Sequence, residues 1–232
     1  TPTNNYLQDG FHAAQKENEL ATGLPAKITL SSKDVSMEVL KGVEGKQGAE
    51  RDAQLKSNTQ AILNSYAAKD SLHTFEISEM FEGKQYFLFT YLTLLDVRLV
   101  YVPPRYIGEF GAETDNWEWP RHTGDFSIVR AYIGKDGKPA AYNAANVPFV
   151  PKRHLKINPN GTKENDAVFI LGYPGRTYRH QPYQFLQYQN DYYMPQVIDW
   201  FTWRIEKMEE LSKNNTAKYL GFASTIKGLA NT

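Results

Sequence analysis

The chain has 232 residues, 41% of them apolar and 13% aromatic, with 26 basic side chains balancing 26 acidic ones. That is globular material enough for one large or two small domains, and without a run of like charge it excludes the clustered basic footprint of a nucleic-acid binder. The lack of cysteine excludes disulfides and thiolate metal sites, and no stretch reaches the roughly 18 uninterrupted apolar residues of a membrane span.

In chain order, the polar stretch 5–24, anchored by Tyr6, Leu7, Phe11 and Leu20, predicts a loop and a short helix. Ala26-Lys27-Ile28-Thr29-Leu30 predicts a brief strand. From Gly48 to about Lys69, Leu55, Ile62, Leu63 and Tyr66 recur at helical spacing among charged residues, with no proline, which predicts an amphipathic surface helix. The period then drops to two. Phe75, Ile77 and Phe81 alternate with polar residues, Glu82-Gly83-Lys84 turns the chain, and Tyr86, Leu88 and Thr90 return: a hairpin.

Val97–Val102 predicts a further strand, stopped by Pro103-Pro104; Thr90, Thr93, Asp96 and Arg98 break the apolar stretch Tyr86–Val102 into consecutive strands. After a glycine-rich connection, Gly108 to Gly111, Ile128–Ile133 predicts a strand that Asp136-Gly137 turns back. Asp166–Gly175 reads as another buried strand ending in a glycine-proline corner. Beyond about residue 180, Trp200, Trp203, Ile205, Met208 and Leu211 among charged residues give a helical period, and their aromatics read as core rather than as a sugar-stacking surface. The domain reading is thus β-rich material over 1–177 and the start of an α-helical region over 178–232.

The densest chemistry lies in Asn116-Trp117-Glu118-Trp119-Pro120-Arg121-His122-Thr123-Gly124-Asp125-Phe126-Ser127. Asp125 stands at the mouth of an apolar strand, where a serine peptidase can hold the acid that orients its histidine; the same Thr-Gly-Asp is also ordinary turn chemistry. The expectation is a carboxylate buried or nearly so, braced by Trp117, Trp119 and Pro120. His122 lies three residues from Asp125 in one turn, which favours a structural or supporting histidine over the general base, because triad members usually converge from separate segments. Asn116 and Trp117 offer an amide oxygen and an aromatic wall to a cationic group, or simply form a turn beside the core. Arg121 holds a carboxylate, structural or from a ligand. His12, His73, His154 and His180 read as isolated, so no metal site and no cofactor is expected. No serine sits in a Gly-x-Ser-x-Gly or Gly-Asp-Ser-Gly setting.

With these residues in hand, the stretch from Gly111 to Ser127 resembles the signature of the S46 family of serine peptidases, the bacterial dipeptidyl aminopeptidases. Asn4-Asn5-Tyr6-Leu7-x-Asp9-Gly10-Phe11, Asp96–Val100 and Gly172–Thr177 match family stretches too. The resemblance implies a chymotrypsin-like double β-barrel, partial here, followed by the start of an inserted α-helical domain that caps the cleft. It implies Asp125 as the triad aspartate, and Asn116, Trp117 and Asn231 as the residues that bind the substrate's N-terminal amine, with Arg121 bracing the loop. The triad histidine would precede Thr1 and the serine would follow Thr232, so the chain reads as a central fragment, inactive alone. The implied partners are an oligopeptide with a free N-terminus, the remainder of the same polypeptide and a second copy in a homodimer, in the periplasm or at the surface of a Gram-negative bacterium. A non-catalytic module that binds peptide N-termini is the alternative, and a carbohydrate-binding β-domain a more distant one.

Overall fold

The computed structural model describes residues 4–111, 114, 118, 120, 122–169 and 181–232. The chain forms two compact units: one of residues 11–103 and 126–151, the other of residues 1–10, 104–125 and 152–232.

The first unit holds two antiparallel sheets. Strands β1 (Phe11–His12), β2 (Leu20–Ala21), β6 (Asp96–Val102), β7 (Ile128–Ile133) and β8 (Val147–Pro148) form one, in the order β1-β6-β7-β8 with β2 also on β6. Strands β3 (Ala26–Asp34), β4 (Thr74–Met80) and β5 (Gln85–Leu94) form the other, ordered β3-β5-β4. Only Leu95 separates β5 from β6, so the chain crosses from one sheet to the other over a single residue.

The hairpin forms as its alternation predicts, with Met80 opposite Gln85 and Ile77 opposite Leu88. Its turn differs in one respect: Phe81 is not a strand residue but sits in the turn at φ 51°, followed by Glu82 at φ 54°. A four-residue connection between paired strands demands left-handed backbone, and Phe81 pays with an exposed ring. Strand β3 runs longer than its apolar start suggests. A register shift between Thr29 and Ser31 marks a bulge, at which Leu30 is half exposed.

Helix α3 (Gly48–Ala67) follows α2 (Ser36–Val39) and lays Leu55, Ile62 and Tyr66, spaced for one helix face, against Val35, Val39, Tyr86 and Leu88. Asn58 stitches the two helices: its amide nitrogen donates to the carbonyls of Val39 and Lys41, each at 2.8 Å.

The second unit contains α1 (Tyr6–Asp9), α4 (Arg105–Gly108), α5 (Tyr183–Tyr188), α6 (Met194–Ser212) and α7 (Thr216–Ala230). A π-helical turn at Gln189–Tyr193 joins α5 to α6. Its cause is Pro195, which has no N–H to give and whose ring would strike the carbonyl four residues back. Asn215 caps α7 by accepting from the Lys218 N–H at 3.0 Å, so α6 and α7 form a helical hairpin across a short loop.

Three readings change here. Residues 166–169 form no strand, and Val168 and Phe169 are exposed; the rest of that segment, with Gly172–Thr177, lies outside the described residues. An apolar run records a need for burial but not where its partner is. Trp200 and Trp203 are not core: each is about half exposed, and they stack on one another at 5.1 Å, as neighbours three apart on a helix can. His73 is not isolated. Asp70 accepts from the Leu72 and His73 N–H groups, and this tight turn folds the imidazole back to 2.6 Å from the same carboxylate.

Candidate functional site

Within the helical unit, a cavity of about 480 Å³ is lined by both ends of segment 104–125 and by one face of α7. Tyr219, Ala223, Ile226 and Ala230, at helical spacing, supply the stripe on α7. Asp125 and Asn231, the residue that ends α7, both line the cavity. The backbone N–H of Asn231 donates to the Lys227 carbonyl at 3.0 Å, which holds the asparagine in the helical turn.

Asp125 is placed differently from its sequence reading. It is exposed, in a loop three residues before β7, rather than buried at a strand start. The two tryptophans expected to brace it, with Asn116 and Arg121, lie outside the described residues. Pro120 and His122 are described and both are exposed, so neither shields it. What fixes the approach to Asp125 is backbone: the Gly124 N–H donates to the Ile107 carbonyl at 2.9 Å.

The cavity also holds charges that the sequence reading missed. Glu109 receives Arg105 Nε on one carboxylate oxygen at 2.6 Å and Lys227 Nζ on the other at 2.7 Å. The Arg105 guanidinium donates in addition to the Tyr219 hydroxyl at 2.6 Å. Burial pushes the Glu109 carboxyl up, but the hydrogen bonds from Lys227 and Arg105 more than offset it and hold it below its ordinary value. The bond to Glu109, then that to Tyr219, raises Arg105 in turn. One signal was available: Arg105 and Glu109 stand at i,i+4 just after a proline pair, as Lys227 and Asn231 do at the end of α7.

Two further charged clusters lie in the sheet unit and are structural. Asp96 and Arg98 are both buried on β6 and bind through two hydrogen bonds of 2.9 and 2.7 Å. The Tyr132 ring lies 3.8 Å and the Tyr142 ring 4.6 Å from the Arg98 guanidinium, and Asn146 donates to Asp96. Buried Glu19 takes Arg130 on one oxygen and the Tyr132 hydroxyl on the other, at 2.8 and 2.7 Å. Every partner in these clusters is satisfied within the protein, which leaves no ligand to explain. Among the described residues no acid-histidine group has the arrangement of a metal site, and no helix is long and apolar enough to cross a membrane.

The chain thus has a sheet unit and a helical unit, the latter with Asp125 and Asn231 lining one cavity, and comparison with known proteins gives the family. Residues 1–232 match the model of the peptidase S46 family, to which the chain belongs. It is 37% identical over 229 residues to an Asp/Glu-specific dipeptidyl-peptidase of Flavobacterium psychrophilum, covering 97% of this chain and 32% of that protein. It is 34% identical over 232 residues to dipeptidyl-peptidase 7 of Capnocytophaga gingivalis, covering 100% of this chain and 32% of the relative. Among solved structures, Porphyromonas endodontalis DPP11 in complex with the dipeptide Arg-Asp matches with a TM-score of 0.86 at 34% identity, over 100% of this chain and 34% of that one. The chain thus spans about a third of the length of the relatives it matches.

Proposed function

We propose that the full-length protein containing this chain is a serine-type dipeptidyl aminopeptidase, which releases dipeptides from the free N-termini of oligopeptides. The observation that carries the reading is that Asp125 and Asn231, far apart in sequence, line one cavity. In the proposed chemistry Asp125 accepts from one imidazole nitrogen, fixes the tautomer and stabilises the imidazolium formed when the other nitrogen takes the serine proton. The histidine and serine come from parts of the polypeptide outside this chain, and the sheets here belong to a chymotrypsin-like double β-barrel with the helices as the start of its cap. Asn231, with Asn116 and Trp117, receives the substrate ammonium, and Arg121 braces their loop. An alkylammonium leaving water must recover its three hydrogen bonds, and amide oxygens supply acceptors without the desolvation cost of further charge. The enzyme acts as a homodimer in the periplasm or at the surface of a Gram-negative cell.

The test is hydrolysis of dipeptidyl fluorogenic substrates by the full-length protein. Free-amine substrates are cleaved and N-acetylated ones are not, and Asp125→Asn lowers kcat by about 10⁴-fold, the loss seen when a triad aspartate goes. Binding of free N-termini without any turnover would favour the non-catalytic module. Equal cleavage of free and blocked peptides overturns the amine-recognition roles.

A further inference from the structure

The proposed site is built from two pieces of chain, the segment ending in Asp125 and the last turn of α7, and its geometry depends on what joins them. The described contacts supply a short path. Asp125 follows Gly124, whose N–H is held by the Ile107 carbonyl. Two residues on, Glu109 reaches Lys227 on α7. Lys227 and Asn231 are one helical turn apart, and the Lys227 carbonyl holds the Asn231 N–H. The path from acid to amide therefore contains two backbone hydrogen bonds, one ion pair and one turn of helix.

A second tie runs beside the first. Arg105, one turn before Glu109, bonds Tyr219 as well as Glu109. Tyr219 and Lys227 are eight residues apart on α7, about 12 Å along the axis at 1.5 Å per residue. Attachment at two separated points fixes both the slide and the swing of a rod, where one would leave a pivot. Glu109 is common to both ties, and each of its oxygens is committed to one of them.

We infer that Glu109 is a positioning residue: by bridging Arg105 and Lys227 it fixes the last turn of α7, and Asn231 with it, against the segment that ends in Asp125. The inference rests on the reading of Asp125 and Asn231 given above. Glu109 touches no reacting atom; it acts through Asn231. Removing it leaves two cations facing a carboxylate-free gap; of the two ties, α7 keeps the Arg105–Tyr219 bond, far from Asn231, and loses the one at its last turn.

The experiment uses the full-length protein and a dipeptidyl fluorogenic substrate with a free amine, with Glu109→Ala, Lys227→Met and Asn231→Ala made singly and in combination. A displaced binding group costs on the order of 10- to 100-fold even when the change lies away from the chemistry. Glu109→Ala and Lys227→Met should each lower kcat/KM by roughly the lower of these figures, through KM more than kcat. In the Asn231→Ala background the same substitutions should cost less than about threefold further, because groups that act through one another are not additive. Wild-type kcat/KM in both single variants overturns the inference. So do losses that multiply in full with Asn231→Ala, since a general loss of structure would behave that way. Lys227 is largely exposed, so Lys227→Met decides the matter if Glu109→Ala fails to fold by circular dichroism. Wild-type release of dipeptides sustains the functional reading whatever the variants do, and its absence overturns both.

Discussion

At the residue scale, the sheet unit places charge inside itself: Asp96, Arg98 and Glu19 are all buried. Asp96 and Arg98 are two apart on β6 and so share a face of the strand. Neither could be buried without the other, because an uncompensated charge in the interior costs several kcal/mol. Arg98→Met should therefore destabilise the full-length protein by about 3–5 kcal/mol in urea titrations, while Asp96→Leu together with Arg98→Met should cost clearly less. The Arg98 hydrogen bond holds the Asp96 carboxyl below its ordinary 3.8 against the opposing effect of burial. This folded-state depression contributes stability at pH values above 3.8, which is lost as the pH falls through the lower folded value; Asp96→Asn should flatten that acid limb. Tyr132 gives the opposite limb. Burial first, then its bond to Glu19, pushes the phenol from 10.0 to about 12. A raised folded value means that the contribution is complete below pH 10 and disappears between 10 and about 12, roughly 2–3 kcal/mol in all. Tyr132→Phe should remove this alkaline loss, read as the pH dependence of the urea midpoint.

At the element scale, the joint between α2 and α3 rests on one side chain. Asn58 satisfies two carbonyls at the end of α2 at once, and nothing else named at that joint could replace both bonds. Asn58→Ala should cost about 1–3 kcal/mol, the penalty for carbonyls left without a donor, whereas Asn64→Ala on the same helix, whose side chain bonds only Gln60 on the surface, should stay within about 0.5 kcal/mol. What was legible at this scale was local. The α3 stripe and the β4–β5 alternation appear where the sequence puts them because their partners are near in the chain and the period alone fixes the buried face. The bulge in β3 and the π turn before Pro195 depend on register and on ring sterics, which composition does not encode. Val168, Phe169, Trp200 and Trp203 depart from the expectation for a different reason: apolar character records a need for burial but not where, or whether, this stretch of protein supplies the partner.

At the scale of the whole molecule, the site was legible only in part. Asp125 and Asn231 came from a dense motif and a family resemblance, and both line the cavity. Arg105, Glu109 and Lys227 did not, since i,i+4 charge pairs are common on solvated helices and their convergence needs the fold. The chain spans about a third of its relatives' length, and the proposed chemistry assigns the nucleophile and base to the rest. Residues 1–232 alone should therefore turn over no dipeptidyl substrate, because an orienting carboxylate without serine and histidine activates nothing. The full-length protein should cleave, and its dependence on the amine should be carried by the asparagines. Losing one hydrogen bond to a charged group costs about 1.5–3 kcal/mol, which is roughly 10- to 150-fold in kcat/KM. Asn116→Ala and Asn231→Ala should each show a loss in that range for free-amine peptides. Against N-acetylated peptides, which present no ammonium, wild type and variants should be equally poor. A variant that lost activity by the same factor on both kinds of peptide would show that the asparagine supports the fold of the cleft, and the amine would then have to be held by other residues.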